Sequence, residues 1–464
     1  MNRHNPFLAI DQQIIGDVYT STEPMNNLTI LCDQFGSRFG GTPGEKQAAE
    51  FMRDKLITYG LSNVRLEEVP YIGWRRGEAH LEVISPIHKE IPCISLPHSP
   101  AANLEGDLID MGAGDPADFE TRSAEISGKI VLTTSEMRPG KAQRWIHRNE
   151  KYGRSLLAGA IGFIFVNHYP GYGVVTGGIG HNGAGLIPGI GMAYEDGMFL
   201  RRLIQRHGTV RVRFTSTDKI EPMVSWNVLA DLPGQQTDEI VMLGCHYDGH
   251  DISQGAADPA SGTVAVLEAA RVLARYAPAL PCTVRFALWG VEEIGLIGSS
   301  QYVANHEAEL DKIRFYLNMD MAGAINPKDI VLNEWPELEP LLRQWQEEMA
   351  WPFGVGQSVN AHSDHYPFLM AGVPTGGIGN LTRRTGRGYG HTPYDTLDKV
   401  DMMSVREAAV LAARLALRMA DMTRWPVQRR SRDMVQALLD SPAYREEMAF
   451  WQALDAFYRQ VRGE

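Results

Sequence analysis

The chain has few cysteines and no long apolar run. Its four cysteines, Cys32, Cys93, Cys245 and Cys282, have no CxxC spacing, which argues against a disulfide framework and against a thiolate metal site. No stretch reaches the roughly 20 apolar residues of a membrane-spanning helix. The first residues lack the continuous apolar segment and the small-residue cleavage site of a secretion signal. We therefore expect a cytoplasmic protein.

Basic residues are also in deficit. The sequence has 44 Lys and Arg against 56 Asp and Glu, a net charge of −12. General binders of nucleic acid or of anionic membranes depend on a basic surface, so we expect neither as a partner. A chain of 464 residues with 44% hydrophobic content is longer than one compact core usually serves, which predicts at least two lobes.

The pattern of strands and helices divides the chain. Residues 1–80 and 223–425 alternate apolar strand runs with amphipathic helices, which predicts an α/β domain whose sheet is covered on both faces. Residues 81–222 are rich in glycine, short strands and turns, which predicts an inserted β-rich module. Residues 426–464 are predicted to form a helical extension at the C-terminal end.

The extension carries an apolar stripe on its second helix. The stripe consists of Met448, Trp451, Leu454, Phe457 and Tyr458. Packing of this stripe onto its own domain is the favoured interpretation, and a contact within a homodimer is the alternative.

Ligand-type side chains follow three successive predicted strands. They are His246 and Asp248 after "EIVMLGC", Glu292 and Glu293 after "CTVRFALWG", and Asp320 after "RFYLNM". Sites in open α/β sheets form at the carboxyl ends of the strands. Histidine and carboxylate ligands without cysteine favour an open, catalytic zinc site. Asp258, in the Gly/Ala-rich loop after His246, could bridge two metals about 3.5–4 Å apart.

Two local pairs have their own interpretation. A cis bond costs far less before proline than before other residues, so we predict a cis bond between Asp258 and Pro259. An ordinary trans turn is the alternative. Glu292 and Glu293 are neighbours whose side chains diverge, so one could bind metal while the other accepts a proton; a cation between them would relieve their repulsion.

Two late segments add further polar groups. "GYGHTPYDTLDKV" places His391 among glycines, and "NAHSDHYPFLMAGVP" offers His362, Asp364 and His365 as rivals for the same role. Just before His391, "NLTRRTGRGYGH" carries three arginines that either bind an anionic substrate group or are solvated. They are Arg383, Arg384 and Arg387.

Taken together, these segments resemble the co-catalytic zinc exopeptidases, which include bacterial leucine-type aminopeptidases and plasma glutamate carboxypeptidase. The shared motifs appear here, in order, as "HYD", "DPASG", "GVEEIGLIGS", "NMD" and "HTPYD". The inserted module, with "GKIVL" and "AGAIGFIFVN", resembles a protease-associated domain. The resemblance implies a three-layer α/β domain with a mixed sheet, interrupted by that insert.

The resemblance also implies roles. His246 and Asp320 would bind one zinc ion, Glu293 and His391 the other, and Asp258 both. Glu292 would be the general base, and Asp248 would hold the His246 ring in its tautomer. His365 matches the corresponding histidine of the family less closely, and it is expected to contact the substrate. The match is also less close for Tyr389, because many relatives have tyrosine directly before the histidine, whereas Gly390 intervenes here.

The implied function is hydrolysis of the terminal peptide bond of short peptides, with zinc and with cobalt or manganese as alternative metals. An aminopeptidase is favoured over a carboxypeptidase or an amidase acting on small N-acyl or aminoacyl amides. A glutaminyl cyclase-like acyltransferase, which uses one zinc, is a remote alternative. A non-catalytic scaffold is disfavoured because all ligand positions and the base are present.

Overall fold

The computed structural model of the protein describes residues 4–181, 183–324, 327–381 and 388–463. They form two eight-stranded sheets covered by helices. The strands are β1 (Ser62–Arg75), β2 (Ala79–Ser85), β3 (Lys89–Ile91), β4 (Ile94–Ser95), β5 (Ala102–Asp110), β6 (Ile130–Thr134), β7 (Gly162–Val166), β8 (Gly189–Met192), β9 (Arg211–Ser216), β10 (Lys219–Leu232), β11 (Ile240–His246), β12 (Thr283–Trp289), β13 (Ile313–Asn318), β14 (Asp329–Leu332), β15 (Val355–Gln357) and β16 (Thr375–Gly379). The α-helices are α1 (Leu8–Thr20), α2 (Glu23–Thr29), α3 (Pro43–Thr58), α4 (Pro116–Ile126), α5 (Arg148–Leu157), α6 (Tyr194–His207), α7 (Ser261–Tyr276), α8 (Ile297–Asn305), α9 (Glu339–Met349), α10 (His365–Met370), α11 (Met402–Asp421), α12 (Arg432–Leu439) and α13 (Arg445–Arg462). Within these described ranges, no helix combines the length and the apolar character needed to cross a bilayer.

The first sheet belongs to the α/β domain and has the strand order β1-β10-β12-β11-β13-β16-β14-β15. β11 lies in parallel between β12 and β13 and is buried along its whole length. Its side chains alternate between two cores: Val241 and Leu243 pack with α7 and α11, and Ile240 and Met242 pack with α8 and α10. The predicted three-layer arrangement with a mixed sheet is confirmed.

The second sheet runs from β2 to β9, with the order β3-β2-β9-β5-β6-β7-β8-β4. It is inserted at the ends of two paired strands of the first sheet, because Arg75 of β1 lies opposite Lys219 of β10. The chain therefore leaves and re-enters the α/β domain at neighbouring positions. Apolar side chains of α4 and α5 pack on one face of this inserted sheet, and those of α6 on the other.

The C-terminal extension joins the two lobes. Helix α12 packs against α10 of the α/β domain through Val435 and Leu439. Helix α13 packs against the inserted domain, where Leu454 joins the core that contains Tyr152. Helices α13 and α5 approach closely at Gly153 of α5, since a Cβ atom there would lie 2.7 Å from Phe450 of α13. The apolar stripe is thus covered by both parts of its own chain.

Candidate active site

The metal-ligand candidates meet at one edge of the first sheet. His246 is the last residue of β11, Glu293 follows β12, and Asp320 follows β13. Because β12, β11 and β13 are adjacent and parallel, their carboxyl ends lie side by side. His391 reaches the same place from the loop after β16, and the site is continuous with a cavity of about 1260 Å³ between the lobes.

Three of the predicted ligands form one group. The Nε2 atom of His246 lies 3.2 Å from Oδ1 of Asp320 and 3.4 Å from Oδ1 of Asp258. Tetrahedral zinc with nitrogen and oxygen ligands at about 2.0–2.2 Å places its ligand atoms about 3.3–3.6 Å apart. The observed separations therefore fit the edges of a zinc coordination sphere.

A second group lies beside the first and shares Asp258. The Nε2 atom of His391 lies 3.4 Å from Oδ2 of Asp258 and 3.4 Å from Oε2 of Glu293. The two carboxylate oxygens of Asp258 thus face different histidines, which is the arrangement of a ligand that bridges two ions. The donor set of imidazoles and carboxylates, with no thiolate, suits zinc.

The backbone of Asp258 is held by a second carboxylate. Asp395 accepts hydrogen bonds from the amides of Ala257 at 2.8 Å and of Asp258 at 3.1 Å. The bond between Asp258 and Pro259 is cis, as predicted. Asp395 belongs to the "HTPYD" segment that also carries His391, so one loop contributes both a ligand and the support of another ligand.

Asp248 contacts both the His246 ring and the Glu292–Glu293 pair. The Nδ1 atom of His246 lies 3.0 Å from the backbone carbonyl oxygen of Asp248, whereas the carboxylate is farther away, at 3.6 Å. The carboxylate instead accepts hydrogen bonds from the amides of Glu292 at 2.9 Å and Glu293 at 3.2 Å. Asp248 therefore orients the His246 ring through its main chain. Its side chain positions the Glu292–Glu293 pair.

Glu292 is placed for proton transfer. Its Oε2 atom lies 4.0 Å from Nε2 of His246, beside the first ligand group but outside it. Burial raises the pKa of the Glu292 carboxyl well above its ordinary value, and the nearby carboxylates of Asp364 and Glu293 act in the same direction. Cations bound by the ligand groups would oppose this shift and favour the ionised carboxylate, which is the form that a general base needs.

Arg38 was not singled out from the sequence, although it lies in the "FGSRFGG" turn. Its guanidinium is fully buried and donates to the carbonyl of Tyr247 at 2.8 Å and to those of Gln254 and Gly255, both at 2.8 Å. These carbonyls lie at the two ends of the loop that connects His246 with Asp258. Arg38 therefore closes that loop, and only the fold brings it there.

His250 was also missed, although it is part of the sequence "HYDGH". Its Nε2 atom lies 2.9 Å from Oε2 of Glu293, and its ring contacts that of His391 edge-on, with centroids 4.5 Å apart. Burial lowers its pKa to about 3, so the ring is neutral. His250, Glu293 and His391 together form a further group able to hold a metal ion.

A cation of the inserted domain faces the second ligand group. Arg148, at the start of α5, lines the cavity; its Nε donates to the carbonyl of Gly178 at 2.8 Å, and its Nη1 lies 3.4 Å from Nδ1 of His391. Burial lowers its pKa to about 10, so it remains charged at neutral pH. Nothing in the sequence pattern pointed to this residue.

The residues predicted to contact the substrate are not all found at the cavity. His365 lines the cavity; its Nδ1 lies 3.1 Å from the side-chain amide of Asn318, and its Nε2 has no hydrogen-bond partner among the described residues. Burial lowers its pKa to about 4. Tyr389 is not among the described residues that line the cavity, although Gly388 and Gly390 are. The three arginines expected at the substrate lie outside the described residues: Arg383, Arg384 and Arg387.

Comparisons with known proteins agree with this architecture. The model of peptidase family M28 matches residues 227–416, and the model of the PA domain matches residues 104–200, within the inserted sheet. Leucine aminopeptidase 2 of Trichophyton equinum is 28% identical over 376 residues, covering 78% of this chain and 72% of that protein. Carboxypeptidase Q of Mus musculus is 25% identical over 410 residues, covering 85% of each. The structure of a zinc aminopeptidase from Bacillus subtilis superposes with a TM-score of 0.66 at 24% identity, covering 86% of this chain and 97% of that one.

Proposed function

Because this chain belongs to peptidase family M28, the co-catalytic zinc exopeptidases, and carries an inserted PA domain, we propose that it is a two-zinc aminopeptidase acting on short peptides. The observation that carries the proposal is the pair of ligand groups that share Asp258, with Glu292 beside them. His246 and Asp320 would hold one zinc, and Glu293 and His391 would hold the other.

Zinc ions held by these residues would supply Lewis-acid activation of a water molecule and of the scissile carbonyl. Glu292 takes a proton from the attacking water and returns it to the departing amine, which is the work of a general base that becomes a general acid. The Asp248 carboxylate keeps Glu292 in place through the hydrogen bonds that it accepts from the backbone amides of Glu292 and Glu293. His365 is positioned to donate from Nε2 to the substrate, because its Nδ1 faces the Asn318 amide.

The preference for the amino terminus rests on similarity. The chain is similar to a leucine aminopeptidase over 78% of its own length and 72% of that protein. The carboxylates of Glu292, Asp320 and Asp258 at the cavity would be offset by the charge of the zinc ions, so they do not by themselves select an ammonium group.

We expect the zinc-loaded protein to hydrolyse leucine p-nitroanilide and not N-acetyl-leucine p-nitroanilide. Acetylation removes the ammonium charge and adds bulk where the amino terminus would lie, so discrimination of at least about a hundredfold in kcat/KM should result. Steady-state rates with both compounds, with and without added zinc, measure this discrimination in kcat/KM. Equal cleavage of the two compounds would exclude an aminopeptidase.

A carboxypeptidase activity is the second candidate, and Arg148 is the observation that favours it. The guanidinium lies at the cavity wall beside His391, where it could pair with a substrate carboxylate. The similarity to a carboxypeptidase Q over 85% of each chain supports this alternative.

The Arg148→Met variant separates the two candidates. If Arg148 binds a substrate carboxylate, KM for an N-acetylated dipeptide with a free carboxyl terminus should rise by about 10–100-fold, the value of a charge-assisted pair. Arg138→Met is the matched control, because Arg138 lines the same cavity but is exposed. If wild-type protein leaves the N-acetylated dipeptide intact, Arg148 is not a carboxylate-binding residue of a carboxypeptidase.

A further inference from the structure

Four aromatic rings from three parts of the chain meet at the cavity wall. Trp145 and His147 belong to the inserted domain, His362 to the α/β domain and Trp451 to helix α13 of the C-terminal extension. All four line the same cavity as the metal ligands. They are partly exposed, so each ring retains a surface that a substrate can contact.

His362 is the centre of this aromatic cluster. Its ring stacks on that of His147 with centroids 3.8 Å apart and an angle of 18°. It contacts Trp145 edge-on at 5.8 Å and Trp451 edge-on at 6.0 Å. The rings therefore constrain each other's orientation, and the cluster forms a continuous wall only when all three segments are in place.

The cluster carries no charge of its own at neutral pH. Burial lowers the pKa of His362 to about 3 and that of His147 well below its ordinary value, with Arg148 acting in the same direction on both. A wall of neutral rings favours contact with an apolar side chain, and aromatic side chains add stacked or edge-to-face contacts.

Trp451 is held from its own helix as well. Its indole N–H lies 3.4 Å from Oε1 of Glu447, one turn earlier. Phe450, Leu454 and Tyr458 of the same helix are buried against the inserted domain. The position of Trp451 at the cavity is therefore set by the packing of α13 and not by its own contacts alone.

We propose that the C-terminal extension completes a specificity subsite for a large apolar, preferably aromatic, side chain of the substrate, formed by Trp145, His147, His362 and Trp451. This inference rests on the proposed function, since it names the substrate class of the same site. It assigns to the extension a contact with substrate, in addition to joining the two lobes.

The test compares Trp451→Ala with Phe457→Ala. Both substitutions remove an aromatic side chain from α13, but Phe457 packs against the inserted domain and is not among the described residues that line the cavity. The measured quantity is the ratio of kcat/KM for phenylalanine p-nitroanilide to that for alanine p-nitroanilide. Wild type should favour phenylalanine, Trp451→Ala should lower the ratio about tenfold, and Phe457→Ala should leave it within about twofold.

Thermal unfolding verifies that both variants are folded. If Trp451→Ala does not fold, Trp145→Ala tests the cluster from the inserted domain, with the same expected loss of ratio. A wild-type ratio near one, an unchanged ratio in the folded tryptophan variant, or an equal fall in Phe457→Ala would overturn the subsite.

A binding measurement separates this inference from the proposed function. Calorimetry with phenylalaninol and alaninol, which carry the two side chains and the free amine but no bond to hydrolyse, reports side-chain preference without turnover. Preferential binding of phenylalaninol that is lost in Trp451→Ala, in a protein that hydrolyses neither nitroanilide, would support the subsite and reject the aminopeptidase. Hydrolysis of the nitroanilides with equal binding of the two amino alcohols would reject the subsite alone.

Discussion

Replacing Glu292 with glutamine should abolish turnover while leaving zinc bound. Glutamine keeps the size of the side chain but cannot accept the proton of the attacking water, and a positioned general base contributes about 10²–10⁴-fold to the rate. Glu292 lies 4.0 Å from Nε2 of His246, outside both ligand groups, so the zinc content should not change. We therefore expect kcat for leucine p-nitroanilide to fall by about a thousandfold.

Glu136→Gln is the matched control for this variant. Glu136 lines the same cavity but is exposed and is not part of either ligand group. Its variant should keep the wild-type rate. Zinc content by elemental analysis and the thermal unfolding midpoint complete the comparison. A Glu292→Gln protein that retains more than about a tenth of the wild-type kcat would show that another group acts as the base.

Replacing Asp258 with alanine should instead remove both metal binding and activity. Its two carboxylate oxygens face His246 at 3.4 Å and His391 at 3.4 Å, so each zinc ion would lose a charged ligand. Even residues that only support metal ligands are worth about 10–100-fold in metal affinity. We expect the affinity for the more weakly held zinc to fall by more than about a hundredfold, with turnover lost in parallel.

The control for the alanine variant is Asp251→Asn, in the same loop. Asp251 pairs with Arg76 at 2.6 Å and does not line the cavity within the described part of the chain. Competition with a chromogenic chelator measures zinc affinity in both proteins. Two tightly bound zinc ions in Asp258→Ala would contradict the bridging role. Glu292→Gln and Asp258→Ala together thus distinguish a loss of proton transfer from a loss of metal binding.

Much of the metal centre could be predicted from short segments. Histidine and carboxylates follow three strands in the sequence, and parallel neighbouring strands bring their carboxyl ends together. The distances among His246, Asp258 and Asp320 agree with that reasoning. The cis bond at Asp258–Pro259 was likewise predictable, because proline lowers the cost of the cis form.

Contacts made by the main chain were harder to predict. The sequence motif suggested that Asp248 holds the His246 ring, but not that its nearest contact to that ring would be its own carbonyl oxygen, at 3.0 Å. Carbonyl and amide groups are the same in every residue, so no sequence pattern identifies which of them a side chain will meet. The same holds for Arg38, which donates to the nearby carbonyl oxygens of Leu31 and Gly36. It also donates to carbonyl oxygens of a loop more than 200 positions away, such as that of Tyr247 at a separation of 209 residues.

The sequence by itself determined which side chains are candidates for the chemistry: His246, Asp258, Glu292, Glu293 and Asp320 all lie in segments whose order along the chain reports their place on the sheet. Only the tertiary structure decided what surrounds that chemistry. Arg148 meets His391 across 243 residues of chain, and Trp451 meets His362 from a separate helical extension. Such contacts arise from the packing of the inserted domain and α13 on the α/β domain, and packing between distant segments leaves no periodic signal in the sequence.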